Sequence, residues 1–280
     1  MGRTRHTAAA IALVGVLAAG CGAQPSGRSA ASSAPAGANA AAGSHELVGL
    51  FRLTPGAERG GHLTGTWFKM AIVGGTAAAG PYVTNANSTV DGGQVTPLQP
   101  GTAGGLRTGS YQTEARPGFK GGNSLSSSVT RPTGFFDVLF GISTNPVDPQ
   151  THTPLPPPSV TELDGRLTAD VSAWAASWNN QEFNQGAPKP VPSTGPQPPG
   201  QQKVTRAWDW VSHRWLAQPA TARTTGPQAT GTYDPQTRHF TLDWSSHIAG
   251  GPFNDFTGVW HLEGTFEPSA GSPAAPSATP

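Results

Sequence analysis

Cysteine is almost absent: the 280 residues hold one, Cys21. A lone cysteine excludes an internal disulfide, and no other position can supply thiolate chemistry. Charge is scarce as well. Asp, Glu, Lys and Arg together make 12% of the chain, about half of the ~25% usual for soluble domains. Coiled coils, helical repeat arrays and charged disordered chains all need many more such residues, so they are excluded. The net charge of +1 leaves no basic surface for nucleic acid. The common catalytic signatures are missing too. There is no Gly-x-Ser-x-Gly elbow, no His-Glu-x-x-His pair, no Gly-Lys-Ser/Thr phosphate loop and no acidic EF-hand loop. No cofactor is expected on this basis. What abounds is Gly (37), Pro (28) and, for a chain this poor in charge, Trp (8).

The N-terminus carries an address. Arg3 and Arg5 precede an apolar stretch from Ala8 to Ala19, shorter than the ~20 residues of a membrane span. It ends in Leu17-Ala18-Ala19-Gly20-Cys21. This run resembles the lipobox of bacterial lipoproteins. The resemblance implies that residues 1–20 are a signal peptide and that Cys21 receives a diacylglyceryl group and becomes the new N-terminus. The implied partner is a membrane, entered through the lipid, and the implied location is the extracytoplasmic side of the cell membrane. Losing Arg3 and Arg5 leaves 15 basic against 16 acidic residues, so a polybasic patch is not expected to assist the anchor.

Composition divides the rest. Residues 21–44 are almost wholly Ala, Gly, Ser, Pro and Asn, too poor in apolar area to offset chain entropy, and read as a flexible tether. Residues 269–280 read as a disordered tail. Between them, residues 45–268 read as a single β-rich domain, an antiparallel sandwich or barrel with long Pro/Gly-rich loops. Two such loops are expected, one from Pro146 to Pro158 and one from Pro188 to Pro199, because proline lacks the donor that a sheet needs. Asp164-Gly165 is a two-residue hairpin turn between Ser159–Leu163 and a strand running from Arg166 to Trp178. Asp234-Pro235-Gln236-Thr237 is a type I turn. Phe240, Leu242 and Trp244 alternate with His239, Thr241 and Asp243, and Trp260, Leu262, Gly264 and Phe266 with His261, Glu263 and Thr265. Residues 205–216 fit a helix and a strand equally well. His62–Trp67 echoes His261–Phe266, as if the two ends of the body were neighbours in a sheet.

Three groups of residues are candidates for chemistry or binding. If the last two strands pair, His239 and Asp243 share a face with His261 and Glu263, and His62 joins if the ends of the body meet. Imidazole and carboxylate suit a metal or acid–base chemistry, but they are also the ordinary polar face of amphipathic strands. In the hairpin register, Trp174, Trp178 and Asp170 lie opposite an Ala/Val/Leu face. Exposed, the two rings would make a platform for a cell-wall glycan. Buried on both faces, they are core, which is where Trp usually goes. A β-jelly-roll hydrolase would instead need a carboxylate pair about 5–10 Å apart on one concave face, with Glu162, Asp170 and Glu263 as the acids available in strands.

Segments of the body resemble parts of uncharacterised secreted β-rich bacterial proteins, many with PEP-CTERM-type sorting tails. They are Phe240–Asn254 with Thr257–Gly264, and Val171–Asn180 with Phe183–Gly186. That likeness implies β architecture and export, with no activity attached. Together the readings give a lipid-anchored envelope protein with a binding or structural role and a glycan or an envelope protein as partner.

Overall fold

The computed structural model describes residues 43–149, 152–188, 190–191, 208–209, 214–215, 222–223, 226–248, 252–253 and 255–270. Cys21 with its signal segment, the tether up to residue 42, most of the second proline stretch, most of 205–216 and the tail from residue 271 lie outside these residues.

The chain builds antiparallel sheet because its apolar residues alternate and its turns punctuate. Among the described residues there is no α-helix; one short 3-10 turn spans Val90–Gly93. The larger sheet runs in the order His45–Glu46, Ser159–Leu163, Arg166–Asp170, Ala229–Tyr233, His239–His247, Thr257–Pro268, Gly49–Leu53 and Gly105–Arg107. Trp67–Thr76 pairs with the first half of the last strand, Thr257–His261, while Gly49–Leu53 pairs with its second half. The sheet therefore branches at Thr257–Pro268 and curls into a half-barrel. A second antiparallel sheet contains Thr133–Phe135, Val138–Thr144, Trp174–Trp178 and Gln181–Asn184. The mainly β, barrel-like architecture expected from the alternation is what is found.

Local chemistry explains the joints. Asp164 and Gly165 take φ of 50° and 77°, the double left-handed geometry of a tight hairpin, and Ser159–Leu163 pairs with Arg166–Asp170 as the turn demands. Asp234 accepts the N–H of Gln236 at 2.8 Å and the hydroxyl of Thr237 at 2.7 Å, closing the second hairpin turn. Two glycines allow backbones to close on each other. A side chain at Gly231 would place its first carbon 1.7 Å from the Thr241 carbonyl oxygen, and one at Gly264 would lie 1.8 Å from that of Arg52. The first proline stretch is a loop, cross-braced by a bridge between Val147 and Pro154. In the undecided 205–216 stretch, the described residues Trp208–Asp209 and Arg214–Trp215 pair as short antiparallel strands.

The core lies between the two sheets. Phe51, Phe240, Leu242, Leu262 and Trp260 of the large sheet are at most 1% exposed, as are Ile142 and Trp174 of the small one. Aromatic rings carry the contact. Trp174 meets Trp244 and Trp260 edge-on at 5.2 and 5.5 Å, and Phe68 meets Phe135 edge-on at 6.0 Å. Edge contacts of this kind add about 0.5–1.5 kcal/mol each beyond burial.

Candidate functional site

The last two strands pair with Asp243 opposite His261, so the polar face foreseen above exists. His261 Nδ1 lies 2.6 Å from Asp243 Oδ1, His239 Nε2 lies 3.1 Å from Glu263 Oε1, and His261 Nε2 lies 3.9 Å from Glu263 Oε2. Trp67, opposite His261 on the neighbouring strand, stacks on its ring at 5.0 Å and 15°. Of the echoing stretch His62–Trp67, only Trp67 pairs with the last strand, whereas His62–Thr64 pair with Ala57–Arg59. The Gly65 N–H donates to Glu263 Oε2 at 2.6 Å, and the Thr66 hydroxyl donates to the Glu263 carbonyl at 3.2 Å. Burial raises the Glu263 carboxyl. The Gly65 N–H, the His239 hydrogen bond and the charges of His239 and His261 outweigh burial and hold it below the usual carboxylate range. His62 is exposed in a separate ribbon opposite Arg59, and makes no hydrogen bond or ion pair among the described residues. Nor do any three His, Cys, Asp or Glu among the described residues converge where they could hold a metal ion. The cluster is a polar brace that ties the Gly65–Thr66 turn to the last strand.

The tryptophan platform needs correction. Trp174 is 0% and Trp178 9% exposed, so neither presents a ring face at the surface for a glycan to stack on. The expectation rested on one strand from Arg166 to Trp178. The strand instead stops at Asp170, the chain turns with the Trp174 N–H donating to the Val171 carbonyl at 2.8 Å, and Trp174–Trp178 enters the other sheet. The register carried through from Asp164-Gly165 is lost at that turn. Trp178 donates its ring N–H to the Phe135 carbonyl at 2.6 Å. Asp170 stays outside, exposed, capping the turn by accepting the Ser172 N–H at 2.8 Å.

The acids proposed for a hydrolytic pair do not converge either. Glu162 stands opposite Leu167 and is buried, accepting the Gly165 N–H at 2.6 Å with His45 at 3.0 Å. Asp170 stands opposite Ser159 on the other face of the same hairpin, because side chains alternate along a strand. Glu263 shares the outer face with the histidines.

A carboxyl pair does occur, where no sequence signal marks it. Glu182, in Gln181–Asn184, meets Glu114 across a cleft of about 270 Å³ that Arg116 and Asn145 also line. The Glu114 loop is held by its own N–H donating to Asn145 Oδ1 at 3.2 Å. Burial, the hydrogen bond to Glu114 and the Glu114 charge push the Glu182 carboxyl up to about 9, against a smaller opposing pull from Arg116. Near neutral pH the Glu182 carboxyl therefore stays protonated. A carboxyl raised in the folded state binds a proton that the unfolded chain has released, so stability falls as pH rises from about 4.5 towards about 9. Glu182→Gln keeps a donor towards Glu114 without the titration. It should flatten the dependence of melting temperature on pH across that window, as thermal unfolding at a series of pH values would record. An unchanged slope would show that the proton lies elsewhere.

The third feature is interior. Between the sheets lies an apolar slot lined by Phe68, Phe135, Phe140, Trp178, Phe253 and Trp260 among others, with Gln185 as its polar member. Its volume is about 40 Å³. Gln185 is already engaged. Its Oε1 accepts from Ser246 Oγ at 2.6 Å, and its Nε2 donates to the Asn184 carbonyl at 2.9 Å. Alternation marked some of these residues as core, but a gap left between well-packed rings has no sequence signature. No protein-family model, curated protein or solved structure matches the chain.

Proposed function

We propose that the chain is an exported lipoprotein of the cell envelope, anchored through Cys21, whose β body binds a small apolar ligand in the slot between its sheets. The single observation behind the binding role is that slot. It is a concave, aromatic-lined opening into the core, and ligand sites have this form. The anchor rests on the lipobox resemblance at Leu17–Cys21 and on the charge-poor tether after it. Glycan stacking on Trp174 and Trp178 is set aside, because those rings are interior.

Xenon tests the slot without presuming the shape of its ligand, since dry apolar cavities take it up. Under xenon pressure, methyl signals of Met70, Ala176 and Ile248, which line the slot, should shift saturably, while those of Leu242 and Leu262 elsewhere in the core stay put. Uniform small shifts would mean that the slot is closed in solution and that the binding role lacks a site.

One observation favours a second reading, hydrolysis by a carboxyl pair. Glu182, held protonated, stands beside Glu114 in an open cleft, so a proton donor lies next to a second carboxyl. On this reading any ester, glycoside or peptide hydrolysis found in the purified protein disappears in Glu114→Gln and in Glu182→Gln alike. Activity surviving both changes would dismiss it.

A further inference from the structure

We infer that the part of the ligand entering the slot is a single unbranched hydrocarbon chain, belonging to an amphiphile whose polar head stays at the mouth. This rests on the slot being the ligand site.

The lining chooses the chemistry. Every polar group that reaches the slot is used within the protein: the Trp178 ring N–H by the Phe135 carbonyl, the Trp260 ring N–H by Ser246 Oγ at 3.4 Å, and the Gln185 amide by Ser246 and Asn184. No buried polar atom that lacks a partner among the described residues belongs to the slot lining. A hydroxyl, amide or charge carried inside would lose its water and find nothing in exchange, which is costly. Hydrocarbon loses nothing by entering.

The width chooses the shape. The slot offers about 40 Å³, room for about three water-sized spheres. Its walls are rings already in contact, with Phe68 at 4.4 Å from Trp260 and 5.8 Å from Phe140. A flat ring would have to part them, whereas a methylene chain is one carbon thick.

The mouth has the character that a head group and the start of a chain require. Phe253, half-buried, lines the slot and packs on Trp178 at 5.1 Å and on Phe135 at 5.8 Å. Phe136 packs on Phe253 at 5.5 Å and is 39% exposed, so the apolar lining continues to the surface. Asp137, next to Phe136 in sequence and exposed, is a charged group at hand for the cationic part of a head, whereas Asp255 is already paired with His247 at 3.3 Å.

The test uses the full chain carrying Cys21→Ser, which cannot receive a lipid of its own. It is titrated with alkylphosphocholines of increasing chain length, each below its micelle concentration, and separately with naphthalene, following tryptophan emission. Affinity should rise about fourfold with each added methylene, the equivalent of ~0.8 kcal/mol, and then level off once the slot is full. Ala176→Leu, which adds bulk to the slot wall, should weaken the longest chain tenfold or more. The length series on the parent chain stands even if that variant folds poorly. Naphthalene binding with no dependence on alkyl length would overturn the chain while leaving a ligand-binding slot. Binding of neither would overturn both readings.

Discussion

Trp174→Ala should cost about 3–5 kcal/mol of stability, the usual penalty for truncating a fully buried tryptophan. The ring is 0% exposed and touches Trp244 and Trp260, so it joins the two sheets at their centre. A domain of ordinary stability holds only about 5–15 kcal/mol in all, so this one change brings the fold close to failure. Trp174→Phe sharpens the result. The Trp174 ring N–H is buried with no hydrogen-bond partner among the described residues. Phenylalanine keeps most of the ring and removes that stranded donor, so it should cost far less than alanine. Urea unfolding of the parent and both variants measures the order. Equal and small losses would place the ring at a surface and reopen a platform for external ligands.

Cys21→Ser should have the largest effect on where the protein is found. Each methylene of a lipid in the bilayer contributes ~0.8 kcal/mol, and two acyl chains hold a protein firmly where one gives only marginal binding. Among the described residues no helix is long and apolar enough to cross a membrane. The sequence from Cys21 onward has near-balanced charge, 15 basic against 16 acidic residues. Removing the acylation site should therefore shift the protein from the membrane fraction almost entirely into the soluble one. Retention after salt and carbonate washing would mean that something other than a lipid on Cys21 holds it.

How much could be read in advance depended on whether the cause was local. The Asp164-Gly165 hairpin, the Asp234–Thr237 turn and the pairing of His239–His247 with Thr257–Pro268 are set by turn chemistry and period-two alternation, both visible in sequence. The contacts of Asp243 with His261 and of His239 with Glu263 followed from that register. The break at Val171-Ser172-Ala173 was invisible. No Gly or Pro marks it, and what secures it comes from elsewhere in the chain, the Asn184 side-chain amide donating to the Ser172 carbonyl at 2.6 Å. One unmarked turn places Trp174 and Trp178 in the core, the alternative that the usual burial of tryptophan favoured over a surface platform. The Glu114–Glu182 pair is likewise the product of topology, a loop acid and a strand acid brought together by the small sheet. The slot is less legible still, because alternation marks which side chains face inward but not whether they fill the space between two sheets.

The proposal that the protein is an envelope lipoprotein is tested most directly by the chemistry of Cys21 itself. The native protein would be extracted from the membrane fraction with detergent, digested, and its N-terminal peptide weighed by mass spectrometry. The account predicts a peptide that begins at Cys21 and carries the mass of a thioether-linked diacylglyceryl group. A peptide that begins at any other residue, or an unmodified Cys21 within an uncleaved N-terminus, would contradict it.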